Sequence, residues 1–294
     1  MEGLETIADL IRWGASRFRA AGLHFGHGTD NAIDEALVLV LHALHLEQPL
    51  PAELFNARLT TTEKDEIDRL FGRRIDERVP AAYLTGEARF CGLKFKVDEH
   101  VLIPRSPIAE LIEAGFEPWQ DPAEIRSLLD LCTGSGCIGI ASSVHLPDAE
   151  VVVTDISEDA LKLARQNVRL NSVEDRVTVL NSNVFDTLGQ RRFDVIVSNP
   201  PYVPRCEFEA LPEEFEHEPG LALLAGEDGL DLVRKIIEGA GDHLSEAGIL
   251  VVEVGSAAAA LVDAFPDLPF TWPTFERGGD GVFILTAEQL GAGG

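Results

Sequence analysis

The segment Asn199-Pro200-Pro201-Tyr202 places a carboxamide and a phenol on either side of two prolines. Residues 192–198 before it are mostly apolar and β-branched, which predicts a strand buried on both faces. The segment therefore follows the carboxyl end of a strand, where open α/β sheets bind their ligands. Because proline fixes φ and has no N–H, we expect a stiff turn whose carbonyls take no part in strand pairing.

Such a turn can bind a planar NH2 group. The side-chain oxygen of Asn199 accepts one hydrogen, the carbonyl of Pro200 accepts the other, and Tyr202 covers the face of the group. The pattern predicts recognition of an amide or an exocyclic amine, with Asn199, Pro200 and Tyr202 as catalytic residues and Pro201 as a further substrate contact. The competing interpretation is a Pro-Pro turn that merely ends a strand.

A glycine-rich loop lies upstream, at residues 134–139. It follows an apolar strand and precedes a predicted helix, and its glycines let the backbone approach a ligand closely. Asp155 follows Gly136 by 19 residues, the spacing of a carboxylate that binds a ribose. Nicotinamide dinucleotides and S-adenosylmethionine both carry such a ribose, so the loop alone leaves both cofactors open.

Asp130 favours S-adenosylmethionine. It lies at the end of the first predicted strand, where a carboxylate would repel a pyrophosphate and attract the ammonium of a methionyl group. The NH2 site at Asn199 also suits methyl transfer to nitrogen, and no acid for hydride transfer is evident near it. An NAD-dependent dehydrogenase stays the second hypothesis.

Together these motifs resemble the class I, Rossmann-like methyltransferases of the HemK type, which methylate the side-chain amide nitrogen of glutamine in proteins. The likeness extends over nearly the whole chain and includes residues 78–87, 90–95 and 102–105. It implies an α/β fold with a seven-stranded, mostly parallel sheet, an N-terminal helical domain and a β-hairpin linker. It also implies S-adenosyl-L-methionine as the methyl donor and direct, in-line attack by the glutamine nitrogen.

Within that family, residues 105–108, 131–137, 269–272 and 278–283 resemble the branch that acts on large-subunit ribosomal protein L-three. The resemblance thus implies glutamine methylation of that protein, with peptide chain release factors as the alternative substrate. A ribosome assembly factor that binds the cofactor without catalysis is a further hypothesis, against which the intact Asn-Pro-Pro-Tyr motif argues.

The resemblance also implies roles for individual residues. Asp155 would hold the ribose, and Gly134 and Gly136 would admit the methionyl backbone. Asn183 stands where the family often has an acid that holds the adenine amine, so charge assistance to that hydrogen bond is lost. The remaining expected cofactor contacts are Asp130, Cys132, Thr133, Ser135, Val184 and Asn199.

The formal net charge of −26 limits the partners. Lys and Arg total 24 against 50 acids, so nucleic-acid phosphates would repel the chain over a Debye length of about 10 Å. This disfavours adenine-N6 DNA methyltransferases, whose Asn-Pro-Pro-Tyr sites hold an exocyclic amine in the same way. An acidic surface instead favours a basic protein substrate, such as a ribosomal protein.

Composition predicts a cytoplasmic protein. No apolar run approaches the roughly 20 residues needed to span a bilayer, and the N-terminus lacks the pattern of a secretion signal. The four cysteines show no zinc-type pairing, so we expect no metal site and small buried thiols in a reducing compartment.

Apolar periodicity divides the chain into three parts. Residues 1–80 predict a helical, substrate-recognition domain, 81–105 a β-hairpin linker and 106–290 the methyltransferase domain. Strands are expected near 127–132, 150–155, 177–180, 193–198, 249–254, 270–276 and 281–286, the last two as a hairpin.

An acidic segment, 204–219, directly follows the Asn-Pro-Pro-Tyr motif. Its charge predicts either a solvated loop or a lid that meets a basic substrate. The acids concerned are Glu207, Glu209, Glu213, Glu214, Glu216 and Glu218.

Overall fold

A computed structural model describes residues 3–291. The chain divides into two units, and the first consists of the residues up to Ala88 together with Pro212–His217. The second consists of Arg89–Leu211 and the residues from Glu218 onward. The first unit thus extends beyond the predicted boundary at residue 80, and it takes in part of the acidic segment.

The first unit contains four helices: α1 (Ile7–Ala20), α2 (Ala32–Ala43), α3 (Thr61–Asp76) and α4 (Ala81–Thr85). Capping boxes fix the start of two of them, since Thr6 pairs with Asp9 and Thr60 with Glu63. The apolar stripes of α1, α2 and α3 predicted helices within residues 1–80, and they form the core of the unit. The largest side chains of that core, all fully buried, are Leu10, Phe18, Leu39, Ile67 and Phe71. The short helix α4 lies beyond residue 80, at the start of the segment 81–105, for which only the β-hairpin linker was predicted.

A two-stranded sheet follows, made of β1 (Glu87–Phe90) and β2 (Leu93–Lys96). Cys91 and Gly92 between the strands both have positive φ, 47° and 73°. Positive φ at both central residues is typical of the type I′ turn, which matches the twist of a hairpin. The alternating apolar pattern around Cys91 and Gly92 therefore forms the predicted hairpin.

The second unit is built on six strands: β3 (Ser127–Leu131), β4 (Glu150–Asp155), β5 (Val177–Asn181), β6 (Phe193–Ser198), β7 (Leu244–Glu253) and β8 (Val282–Thr286). Their order in the sheet is β5-β4-β3-β6-β7-β8. Every neighbouring pair is parallel except β7 with β8. The strand order reverses between β3 and β6, so the glycine loop and the Asn-Pro-Pro-Tyr segment both leave the sheet at its topological switch point.

Six helices accompany the sheet: α5 (Ile108–Glu113), α6 (Cys137–His145), α7 (Glu158–Leu170), α8 (Arg205–Phe208), α9 (Asp231–His243) and α10 (Ala258–Ala264). Successive strand residues enter two different apolar clusters. Leu128 and Val151 belong to the cluster that includes α5 to α7, whereas Leu129 and Val152 belong to the cluster of α9 and α10. Both faces of the sheet are therefore buried, which explains the continuous apolar runs of its strands.

The prediction of seven strands is wrong in its C-terminal part. Among residues 3–291 the main sheet has six strands, and 270–276 contributes only an isolated antiparallel bridge between Thr271 and Ile284. Pro269 and Pro273 flank this bridge, and each lacks the N–H that a longer ladder needs. The fold class of a mostly parallel, Rossmann-like α/β domain with N-terminal helices is confirmed.

None of the described helices combines the length and the apolar character needed to cross a membrane.

Candidate active site

A cavity of about 350 Å³ lies at the carboxyl ends of β3, β4 and β6. Most of the residues predicted to bind the cofactor line it: Cys132, Thr133, Gly134, Ser135, Asp155, Asn183, Val184 and Asn199. Pro201 lines it as well. Four predicted site residues do not line this cavity: Asp130, Gly136, Pro200 and Tyr202. Any role they have in the site is therefore not a direct contact with this cavity.

The glycine loop owes its shape to two different properties of glycine. Gly134 has φ +54° with open space around its Cα, so it is the backbone conformation that requires glycine there. At Gly139, in the first turn of α6, a Cβ would lie 2.3 Å from Val153 and 3.1 Å from the Asp130 side chain. The missing side chain lets α6 pack directly on β3 and β4, which brings the start of α6 to the cavity.

Asp130 lies beneath this loop and is fully buried. Its Oδ2 accepts hydrogen bonds from the Thr133 hydroxyl and, at 2.9 Å, from the backbone N–H of Gly139. Burial raises the pKa of Asp130 to about 7. The structure thus places Asp130 where it shapes the loop from below. Its other oxygen, Oδ1, is buried and has no hydrogen-bond partner among residues 3–291, and its contact with a methionyl ammonium stays a prediction.

Asp155 ends β4 and is only partly buried. One oxygen accepts from the N–H of Gly134 at 2.9 Å and the other from the N–H of Ser157 at 2.9 Å. Burial raises the pKa of Asp155, although these backbone hydrogen bonds act in the opposite direction. The carboxylate faces the cavity and has lone pairs left for a diol, so it fits the predicted ribose contact.

Asn183 and Val184 form another part of the cavity wall. Asn183 is exposed, whereas Val184 is buried and has a φ of +52°, which a β-branched residue rarely adopts. Strain of this kind is typical of functional turns. Such a conformation persists only where the surrounding packing imposes it, so the backbone of Asn183 and Val184 is held in a fixed arrangement at the cavity.

Asn199 borders two cavities. Besides the large one, it lines a smaller cavity of about 110 Å³, which we call the amide slot and which is also lined by Leu102, Arg105, Tyr202, Val203, Ala222, Leu223 and Glu253. The Oδ1 atom of Asn199 is buried, and no group among residues 3–291 donates a hydrogen bond to it. Buried polar oxygens are nearly always paired, so this one is poised to accept a hydrogen from a ligand.

Tyr202 forms a wall of the amide slot instead of the large cavity. Its hydroxyl donates to Glu253 Oε1 at 2.9 Å, and the hydroxyl of Ser106 donates to Glu253 Oε2 at 2.5 Å. Burial, with the adjacent Glu253 carboxylate as a second cause, raises the pKa of Tyr202. Sequence reasoning missed Glu253, although an acid that closes the apolar run 249–252 is an unusual residue at a buried strand end.

The acidic segment 204–219 is only partly a solvated loop. Glu218 is buried and accepts from Arg105 Nη1 at 2.6 Å, from Arg105 Nη2 at 2.5 Å and from the N–H of Ile103 at 3.0 Å. Glu214 is buried in the first unit, where it accepts from the fully buried Arg74 at 3.2 Å. These two glutamates are structural. The other glutamates of the segment are exposed: Glu207, Glu209, Glu213 and Glu216. Their charge is the part of the segment that could meet a basic substrate.

The residues present fit S-adenosylmethionine. The large cavity offers a carboxylate for the ribose, an open glycine loop for the methionyl part and Asn183 for the adenine. The buried acceptor of Asn199 stands where this cavity adjoins the amide slot. A Rossmann-like sheet with this arrangement at its switch point is suited to a ribose-bearing cofactor, and the acceptor of Asn199 beside it favours the class of methyltransferases that use S-adenosylmethionine.

Comparisons with known proteins agree. Residues 119–215 match the family described as Methyltransferase small domain. The ribosomal protein uL3 glutamine methyltransferase of Xanthomonas campestris is 54% identical over 288 residues, which cover 98% of this chain and 93% of that protein. Its namesake from Francisella tularensis is 46% identical, over 99% of this chain and 93% of that protein. The chain belongs to the family of ribosomal protein uL3 glutamine methyltransferases.

A solved structure gives the same fold. The hMettl16 catalytic domain in complex with MAT2A 3'UTR hairpin 1 superposes with a TM-score of 0.53, at 16% identity, over 94% of this chain and 90% of that one. The predicted family, enzyme class and methyl donor are therefore confirmed, and the dehydrogenase hypothesis is set aside.

Proposed function

We propose that this chain transfers the methyl group of S-adenosylmethionine to the side-chain nitrogen of a glutamine in ribosomal protein uL3, the L-three protein of the large subunit. The observation that carries the chemistry is the buried, unpaired Oδ1 of Asn199 between two cavities. The relatives' shared name supports the substrate, because they match this chain along nearly its whole length. Since that substrate is a ribosomal protein, we place the reaction in the cytoplasm.

The large cavity would hold the cofactor, which supplies an electrophilic methyl group on a sulfonium. Asp155 would accept hydrogen bonds from the ribose hydroxyls, and Gly134 would leave room for the methionyl backbone. Gly136, which does not line the cavity, instead lets the chain pack closely against Ile140 and Ala164. Asn183 would accept a hydrogen from the adenine amine, and Val184 would pack beside it. Cys132, Thr133 and Ser135 complete the wall.

The amide slot would admit the glutamine side chain. Asn199 Oδ1 would accept one hydrogen of its NH2 group, and Tyr202 would bound the group inside the slot. Pro201 borders the large cavity, whereas Pro200, the predicted second acceptor, lines neither cavity. An amide nitrogen is a poor nucleophile because its lone pair is delocalised, so alignment and preformed acceptors supply most of the acceleration. The Asn199 acceptor would also stabilise the positive charge that grows on the N–H hydrogens as the nitrogen–carbon bond forms and the methyl–sulfur bond breaks. The thioether form of the cofactor would then leave, and the methylated nitrogen, now acidic, would release a proton.

Charge complementarity supports a basic protein as the substrate. The chain carries 50 acids against 24 basic residues, and four exposed glutamates follow the Asn-Pro-Pro-Tyr motif. Long-range attraction of this kind raises association rates more than affinity. The same charge opposes DNA as a substrate.

The test is to incubate the purified chain with labelled S-adenosylmethionine and either uL3 or a release factor. Peptide mass analysis then locates the label. We expect label on one glutamine of uL3 and none on the release factor. Label on the release factor alone would refute the substrate assignment and leave the chemistry intact, whereas no label on either protein would refute both.

A further inference from the structure

Glu253 connects two elements that meet behind the amide slot. It is the last residue of β7 and is buried, with a relative exposure of 5%. One of its oxygens accepts from Tyr202, in the Asn-Pro-Pro-Tyr segment, and the other accepts from Ser106. Glu253 and Tyr202 both line the slot, next to Asn199.

The backbone around Tyr202 leaves its ring little freedom. A Cβ on Gly255 would lie 2.5 Å from the Tyr202 ring, and a Cβ on Gly229 would lie 2.3 Å from the Tyr202 carbonyl oxygen. The ring is thus packed against the chain just after β7, while its hydroxyl is bonded to the last residue of that strand. The packing of Gly255 along one edge of the ring, together with the hydrogen bond from the hydroxyl to Glu253, fixes the orientation of the ring.

Burial raises the pKa of Glu253, and the charge of the neighbouring Arg105 acts in the opposite direction. Arg105 also lines the slot, but its two Nη atoms donate to Glu218. Both oxygens of Glu253 instead accept from neutral hydroxyls. A buried carboxylate is costly unless it accepts hydrogen bonds, so the two hydroxyls are held firmly by it.

We propose that Glu253 is a positioning residue for methyl transfer: with Ser106 it holds the Tyr202 phenol in place, and the phenol keeps the glutamine amide aligned with Asn199. This inference rests on the proposed function. A misplacement of about 1 Å can lower the rate of a reaction that depends on alignment by roughly a hundredfold. Loss of the Glu253 carboxylate therefore lowers kcat, while the cofactor, which lies in the other cavity, binds as before.

The experiment compares Glu253→Ala, Glu253→Gln, Tyr202→Phe and the double variant Glu253→Ala/Tyr202→Phe. Turnover on uL3 is divided by the concentration of sites that bind S-adenosylmethionine, so that misfolded protein does not count. We expect kcat of Glu253→Ala to fall by roughly ten- to a hundredfold. Glu253→Gln recovers most of it, because the amide oxygen still accepts from Tyr202 and the NH2 can donate to Ser106.

The double variant separates positioning from general stability. Without its hydroxyl, Tyr202 no longer depends on Glu253, so the double variant turns over at the rate of Tyr202→Phe alone. Asp194→Ala is the matched control, because Asp194 lies at the start of β6 and also accepts from two serines, Ser127 and Ser245. Its turnover per cofactor site stays at the wild-type value.

Two results would overturn the inference. One is a wild-type kcat in Glu253→Ala, and the other is a fold loss in kcat of the double variant that equals the product of the losses of the two single variants. Should Glu253→Ala not fold, Ser106→Ala and Tyr202→Phe each remove one of the two hydrogen bonds to Glu253, and wild-type kcat in both of them would overturn the inference equally. Failure of the wild-type chain to methylate uL3 would instead refute the proposed function.

Discussion

Arg105 and Glu218 form a two-pronged ion pair, with Nη1 2.6 Å and Nη2 2.5 Å from the carboxylate. Glu218 also accepts from the backbone N–H of Ile103, so one carboxylate holds both the backbone and a side chain of the segment 103–105. Arg105 and the neighbouring Pro219 both line that cavity. The pair therefore links the segment after the Asn-Pro-Pro-Tyr motif to the segment that precedes α5.

Removal of the Glu218 carboxylate should destabilise the second unit. Glu218→Ala leaves Arg105 and the Ile103 N–H without their acceptor, and we expect the free energy of unfolding to fall by about 2–4 kcal/mol. Urea denaturation followed by tryptophan fluorescence measures the change. Glu216→Ala is the control, since Glu216 is exposed and should shift stability by less than about 0.5 kcal/mol. Equal stability of the two variants would show that the ion pair is dispensable.

Asn199 should be required for turnover and not for cofactor binding. Asn199→Ala removes the buried acceptor between the two cavities, and we expect kcat to fall by about a hundredfold or more. Calorimetric titration with S-adenosylmethionine should give a Kd near that of the wild type. Asn181→Ala serves as the control, because Asn181 is an exposed carboxamide at the end of β5. Near-normal turnover of Asn199→Ala would remove this residue from the mechanism.

The glycine loop and its strands could be predicted because their signals are local. Strands β4 and β6 have the predicted bounds, 150–155 and 193–198, since buried parallel strands are unbroken apolar runs. The strand predicted at 270–276 does not form, because Pro269 and Pro273 on either side of Thr271 interrupt strand pairing. The prolines are visible in the sequence, but the prediction followed the apolar pattern.

Other parts of the site depend on contacts between distant residues. Ser106 and Glu253 are 147 positions apart, and Arg74 and Glu214 are 140 apart, so no local pattern pairs them. The burial of Asp130 likewise follows from the packing of α6 over β3 and not from its own neighbours in sequence. The sequence could therefore place Asp130 near the glycine loop, but it could not show that the side chain is buried beneath that loop.

Asp155 should contribute to cofactor affinity in two ways. Asp155→Ala removes the acceptor expected for the ribose and also the hydrogen bond that anchors Gly134. Charged hydrogen bonds of this kind are worth about 1.5–3 kcal/mol, so Kd for S-adenosylmethionine should rise by roughly ten- to a hundredfold. Calorimetry provides the measurement, and Asp159→Ala, which alters an exposed ion pair with Lys162, is the control. The ribose assignment would be abandoned if both variants bound the cofactor equally well.

Asp130 should make stability depend on pH. Burial, with a smaller contribution from the charge of Asp155, raises its pKa to about 7 in the folded chain, against 3.8 as its ordinary value. A raised folded pKa gives stability that is fully present below about pH 4 and is lost as the pH rises through about 7. At 1.36 kcal/mol per unit, the loss is about 4 kcal/mol. Asp130→Asn keeps a neutral acceptor for Thr133 and Gly139, so the stability of this variant should not show that loss with rising pH.

The measurement is the difference in unfolding free energy between wild type and Asp130→Asn, determined by denaturant titration from pH 4 to pH 8. We expect the wild type to lose stability relative to the variant across this range. For Asp194→Asn the same difference should stay constant, because burial at Asp194 is outweighed by hydrogen bonds from Arg126, Ser245 and Ser127, which lower its pKa below this range. A flat curve for Asp130→Asn would mean that Asp130 is ionised throughout, held by its two donors beneath the glycine loop.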